Sequence, residues 1–169
     1  VGEDPISPSI FKGELDEVRI WNVARTHAEI LSNISQELSG NESGLKLYYN
    51  FNNLGSSPLV EDQSGTSNNG ILQPLVTAPF NAVYSNTSED YIKTEWAGIT
   101  GSSNRTIEAW INTTANNRII TSWGKNSTGN RIDLIIINTG LRVEIKDGHK
   151  IGGTKINDGK WHHVAVVFE

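Results

Sequence analysis

The segment "LRVEIKDG", residues 141–148, carries the pattern that governs the fold of this 169-residue chain. Leu141, Val143 and Ile145 occupy alternate positions, and charged residues stand between them. Successive side chains of a β-strand point to opposite faces, so this alternation predicts a strand with one buried and one exposed face. The pair Asp147-Gly148 then supplies a tight-turn signal.

The same alternation recurs along the chain. In "RTIEAWINT", residues 105–113, it places Ile107, Ala109 and Ile111 on one face. "RIDLIIIN", residues 131–138, is apolar at nearly every position and predicts a strand covered on both faces. Further short strands are predicted in three segments: "LKLYYNF" at 45–51, "RIITSW" at 118–123 and "WHHVAVVF" at 161–168.

One segment departs from period two. "RTHAEILSNI", residues 25–34, has Ile30, Leu31 and Ile34 at helical spacing. Thr26 followed three residues later by Glu29 forms a capping-box signal, so a single short helix is predicted near residues 26–35. Many strands and one helix predict an all-β fold, an antiparallel β-sandwich or jelly roll.

Composition excludes several classes of protein. The chain has no cysteine, so it is not a disulfide scaffold. Its net charge is −5, with lysine and arginine scattered, which argues against a nucleic-acid partner. It has no run of about 18 apolar residues, so no membrane insertion is expected.

Four groups of motifs, taken together, resemble the laminin-G-like modules of the concanavalin A-like lectin/glucanase superfamily, in particular those of bacterial exported multidomain proteins. "FKGELDEVRIWNVART" at 11–26 is similar to the closing strand and the start of the helix after it. The opening strand and the loop after it are similar to "GLKLYYNFNN" (44–53) and "VEDQSGTSNNGIL" (60–72). The early strand pair is similar to "NTSEDYIKT" (86–94) and "RTIEAWI" (105–111). The mid-domain strand is similar to "DGKWHHVAVVF" (158–168).

The order of these motifs is cyclically shifted relative to the family, because the closing strand precedes the opening one. We therefore predict one sandwich over residues 1–169. It is assembled from 1–38, which holds the closing strand and helix, and 44–169, with 39–43 as a connector. Residues 1–21 are expected to pack against 44–169, in the same chain or in a neighbouring one. A permuted module, a fragment spanning two repeats and a strand-exchanged oligomer all fit this order.

The resemblance also implies a structural calcium ion. Calcium prefers oxygen ligands from carboxylates and carbonyls, and the predicted ligands are Asp16, Asp62 and Asp90. Asp62 has the alternative role of capping a turn through its own backbone. His162 and His163 are neighbours on a predicted strand and face opposite sides, so they cannot share a metal ion.

Catalysis is not expected. Glucanases of this fold need paired carboxylates, and the chain contains no Glu-x-Asp-x-Glu arrangement. Sugars dock on aromatic faces, and Trp96, Trp123 and Tyr91 are the residues predicted to bind a ligand. Trp21, Trp110 and Trp161 stand in strand motifs and are expected to pack.

The sequence thus predicts a non-catalytic extracellular adhesion or recognition module that binds carbohydrate or a protein partner. Two alternatives remain open: an accessory carbohydrate-binding module of a polysaccharide-degrading enzyme, and a structural spacer repeat in a surface adhesin. The expected location is secreted or at the cell surface. Neighbouring repeats or a strand-exchanged copy are further expected partners.

Overall fold

The structure is a computed structural model that describes residues 9–54, 57–73, 82–85, 90–124, 131–145 and 148–169. Within these ranges one helix, α1 (His27–Asn33), accompanies a series of strands. The strands are β1 (Ser9–Ile10), β2 (Gly13–Trp21), β3 (Leu45–Tyr49), β4 (Leu59–Val60), β5 (Gly70–Gln73), β6 (Val83–Ser85), β7 (Tyr91–Thr94), β8 (Arg105–Asn112), β9 (Arg118–Gly124), β10 (Arg131–Ile137), β11 (Gly140–Ile145), β12 (Gly148–Ile151) and β13 (Trp161–Phe168).

The strands form three sheets. The first has the order β1-β9-β10-β11-β12, and the second has the order β13-β8-β2-β3, with β6 also paired to β2. The third and smallest is β4-β5-β7. Among the described strands, only β1 and β9 pair in parallel. The predicted all-β, mainly antiparallel fold with one short helix is confirmed.

The main core lies where the inner faces of the first two sheets meet. Apolar side chains of β8, β10 and β11 belong to one cluster there, including Ile107, Ala109, Ile111, Ile132, Leu134, Ile136, Leu141, Val143 and Ile145. The alternation read from the sequence assigned the inner faces of β8 and β11 correctly. At the end of β11, Ile145 lies opposite Gly148 of β12; residues 146 and 147 of the predicted turn lie outside the described residues.

Strand β2 occupies the middle of the second sheet. Ile20 lies opposite Ile107 of β8 on one side and Leu47 of β3 on the other, and it is buried. A bulge interrupts the pairing with β8 between Asp16 and Arg19. Residues 1–8, the start of the segment predicted to pack against the body, lie outside the described residues.

The outer face of β8 is also buried, which the period-two pattern did not predict. Thr106 and Glu108 are fully buried there, because the segment after β2 folds across this face. The backbone N–H of Arg25 donates to the Thr106 hydroxyl (2.9 Å), and Trp110 Nε1 donates to the carbonyl of Ile34 (2.9 Å).

Helix α1 belongs to this covering segment and begins as predicted. Thr26 is its N-cap, and Thr26 and Glu29 form both hydrogen bonds of the capping box. Of the apolar residues at helical spacing, Ile30 is buried whereas Leu31 is 51% exposed. Ile30 is thus the buried side chain of the helix, and the carbonyl of its last residue, Asn33, accepts from Arg19 Nη1 of β2 (2.8 Å).

Candidate functional site

A crevice of about 1020 Å³ lies between the inner face of the second sheet and strand β9. Its floor is apolar and comes mainly from β2, β3 and the residues next to them, among them Phe11, Leu15, Val18, Ile20, Leu47 and Phe51. Residues 119–124 form a second wall, and β7 with the segment after it forms the third. The volume falls at the upper end of the range of ligand pockets, roughly 300–1,000 Å³.

All three residues predicted to bind a ligand line this crevice. Trp96 and Trp123 are partly buried, their ring centroids lie 6.1 Å apart and their planes are inclined by 39°. Tyr91 is 45% exposed. The structure therefore places Trp123 in the same crevice as Tyr91 and Trp96, which lie in an earlier segment of the chain.

The ring of Trp123 is held in place by its surroundings. Its Nε1 donates to the carbonyl of Ile99 (2.7 Å). Gly98 has a φ of +75°, and a Cβ built there would lie 2.1 Å from Cδ1 of Trp123. Only glycine fits at this position, because any side chain would displace the indole ring.

The predicted metal ligands are distributed over three places. Asp90 lines the crevice and is buried, Asp16 lies at the bulge of β2, and Asp62 follows β4. Within the part of the chain that the structure describes, no group of three or more His, Asp or Glu residues could hold a metal ion. The three aspartates are thus not gathered into one site, and calcium binding stays a prediction.

Asp62 is engaged by donors of the protein itself. Its carboxylate accepts five hydrogen bonds of 2.8–3.0 Å, from Tyr48 N, Ser64 N, Ser64 Oγ, Thr66 Oγ1 and Asn68 N. Burial alone would raise the pKa of Asp62, but these hydrogen bonds outweigh it and hold the pKa below its usual range.

The loop that contains Asp62 closes the outer edge of β3. Besides the bond from Tyr48 N to Asp62, the carbonyl of Tyr48 accepts from Gln63 N (2.8 Å). The carbonyl of Lys46 accepts from Asn68 Nδ2 at 2.9 Å. The loop therefore satisfies backbone groups that another strand would otherwise pair with.

Asp16 has a different environment. Burial is the main cause that raises the pKa of Asp16 to about 6, and the nearby negative charges of Glu17 and Glu37 also raise it. The backbone N–H of Glu17 acts in the opposite direction, because it donates to Asp16 Oδ1 (2.8 Å). Glu17 has a φ of 51°, in the left-handed region. Its carboxylate accepts from Tyr48 Oη (2.8 Å) and pairs with Arg19, contacts that hold the bulge.

Comparison with known proteins gave a family match for part of the chain. Residues 86–169 match a laminin G family model, described as concanavalin A-like lectin/glucanases superfamily. These residues are therefore similar to laminin G-like sequences. The matched segment contains Trp96 and Trp123, strand β9 and the inner strands β8 and β10. Comparisons with curated proteins and with solved structures gave no match.

The family match indicates a carbohydrate- or protein-binding module. Laminin G-like domains are generally non-catalytic, although the superfamily also includes glycosidases. No helix in the described ranges is both long and apolar enough to span a membrane.

The segment that matches the family model also contains a buried carboxylate that the sequence did not reveal as important. Glu108 is fully buried and accepts from Trp21 Nε1 (2.7 Å). His163 Nε2 lies 3.4 Å and Arg25 Nε 4.0 Å from its oxygens. The only signal in the sequence is a glutamate between two buried positions of a strand, and its partners come from distant segments.

The two histidines predicted to face opposite sides do so. His163 contacts Glu108 and lies edge-on to Trp110, whose ring centroid is 5.5 Å away. His162 instead pairs with Asp158 (2.7 Å). Each of the two histidines therefore has a packing or pairing role.

Proposed function

We propose that the chain is a non-catalytic extracellular recognition module that binds its carbohydrate or protein partner in the crevice. One observation carries the proposal: Trp96, Trp123 and Tyr91, chosen from the sequence for their chemistry, all line one cavity of about 1020 Å³. Aromatic side chains supply large contact areas at low cost in conformational entropy. The laminin G family match to residues 86–169 supports a binding role.

The module would bind its partner through crevice side chains that are already held in fixed positions. The indole of Trp123 is fixed by Ile99 and by the space left at Gly98, so little side-chain freedom remains to be lost when a partner binds. The wall formed by β9 and the floor formed by β2 and β3 belong to paired strands, which hold their side chains in position.

We further propose that residues 1–38 and 44–169, joined by 39–43, make one sandwich. Strand β2 supports this, since it pairs with β8 and β3 and supplies Leu15, Val18 and Ile20 to the crevice. On this proposal, the binding site depends on the strand that comes early in the chain.

Binding in the crevice is tested with a glycan array and a displayed library of nine-residue peptides. The best binder from either source should lose about 10- to 100-fold in affinity with Trp96→Ala, the range typical of a central aromatic contact. Ala97→Trp should have a similar effect, because Ala97 lines the crevice, is exposed and can take bulk without entering the core.

Trp161→Ala is the matched control. Trp161 is 41% exposed on β13 and does not line the crevice, so its loss should leave affinity within about twofold. A binder whose affinity is unchanged by both Trp96→Ala and Ala97→Trp would contradict the claim that binding takes place in the crevice. If neither screen yields a binder, the proposal fails and a spacer role becomes the better account.

A further inference from the structure

We infer that the partner in the crevice is an extended polypeptide strand, which pairs with the open edge of β9 and inserts alternate apolar side chains into the crevice. This inference rests on the proposed function, because it names the class of partner for the same site. It commits to a segment of another protein rather than to a glycan. Addition of a strand to a sheet edge is a general mode of peptide recognition.

The first observation is an incomplete edge. On one side, β9 pairs with β10 along most of the length of β9, from Arg118 to Gly124. On the other side, β1 pairs only with Arg118 and Ile119. Among the described residues, 120–124 make no backbone hydrogen bond on that outer side. Within the described ranges, five residues of strand, about 16 Å, thus have an outer side on which no backbone partner is recorded.

The second observation is that this edge borders the crevice. Residues 119–124 of β9 are part of its lining, so a strand added there would lie along the cavity. Alternate side chains of that strand would point inward, toward the floor of β2 and β3. Five paired residues would send two or three side chains into a volume of about 1020 Å³.

The chemistry of the floor favours apolar side chains over a sugar. Phe11, Val18, Ile20, Leu47 and Phe51 are apolar, and a glycan would bring several hydroxyl groups against them. A hydroxyl removed from water without a hydrogen-bond partner is costly. A peptide strand avoids this cost, because its backbone groups pair with β9 while only apolar side chains enter the crevice.

The third observation is continuity with an existing pairing. Strand β1 already lies against this edge in parallel and stops at Ile10, because the chain turns away to begin β2 at Gly13. An added strand would continue the line of β1 past Ile119. The edge of β3, by contrast, is closed by the loop of Asp62, and β13 contributes no residue to the crevice.

The test uses the tightest peptide from the nine-residue library, resynthesised with N-methyl groups at alternate residues. One set of alternate N–H groups would face β9, and the other would face away. Methylation of the N–H groups that face β9 should lower the affinity by about 10-fold or more, because it removes donors and adds bulk to the paired edge. Methylation of the N–H groups that face away should change the affinity by less than about threefold.

The possible failures are distinguishable. If glycans bind in a Trp96-dependent manner and no peptide does, the inference is overturned while the proposed function stands. If a crevice-dependent peptide tolerates methylation of both sets equally, pairing with β9 is overturned in the same way. If nothing binds in either screen, or binding is indifferent to Trp96→Ala and Ala97→Trp, both are overturned.

Discussion

Glu108→Ala is expected to lower the free energy of unfolding by about 3–5 kcal/mol, the usual cost of removing one partner of a buried charged network. The substitution leaves the indole N–H of Trp21 without its acceptor and the charge of Arg25 without its nearest carboxylate. Since small domains are stable by only about 5–15 kcal/mol, the variant should be close to unfolding at 37 °C. Urea unfolding followed by tryptophan fluorescence measures the change.

Glu108→Gln separates charge from hydrogen bonding. An amide keeps an oxygen for Trp21 Nε1 but removes the negative charge beside His163 and Arg25, so a smaller loss, about 1–2 kcal/mol, is expected. Glu95→Ala is the surface control, because this side chain is 92% exposed and its substitution should stay within about 0.5 kcal/mol. Equal stability of Glu108→Ala and the unsubstituted chain would show that the buried network contributes nothing.

Asp62→Ala is expected to cost about 3–4 kcal/mol. It removes the acceptor of five hydrogen bonds and leaves the N–H groups of Tyr48 and Ser64 unsatisfied in a buried place; each such group costs roughly 1–3 kcal/mol. The same unfolding measurement applies. The matched control is Glu61→Ala, since Glu61 is the exposed neighbour and should change stability by less than about 0.5 kcal/mol.

The contribution of Asp62 should also depend on pH. Its pKa in the folded state lies below that in the unfolded chain, about 3.9. The stabilisation is therefore fully present above pH of about 4 and is lost as the pH falls through the lower, folded value. Asp62→Asn should flatten this part of the pH–stability curve. A constant difference between the two proteins from about pH 2 to 7 would contradict the role of the charge.

Local patterns predicted much of the fold, because they report which face of a strand is apolar. The alternation in 141–148 assigned the inner face of β11, and the Thr26–Glu29 spacing located the start of α1. Trp96, Trp123 and Tyr91 were selected because sugars dock on the faces of aromatic side chains. The structure adds that they line one cavity.

What the sequence did not predict depends on contacts between distant segments. The alternation of apolar residues along β8 places Glu108 on the outer face of the strand. Nothing within β8 indicates that residues 22–38 will cover this face. Similarly, an aspartate in a polar loop fits both a calcium ligand and a turn cap. The choice between these roles depends on whether donors such as Tyr48 N come within reach, which only the tertiary fold determines.

The central claim is that the early strand β2 is the middle strand of a sheet formed with β8 and β3. Amide hydrogen exchange tests it most directly, because it compares strands within one sample. The amides of residues 18–20 should exchange as slowly as those of β8, and about 100-fold more slowly than those of the exposed strand β12. Exchange of residues 18–20 at the rate of β12 or faster would contradict the claim.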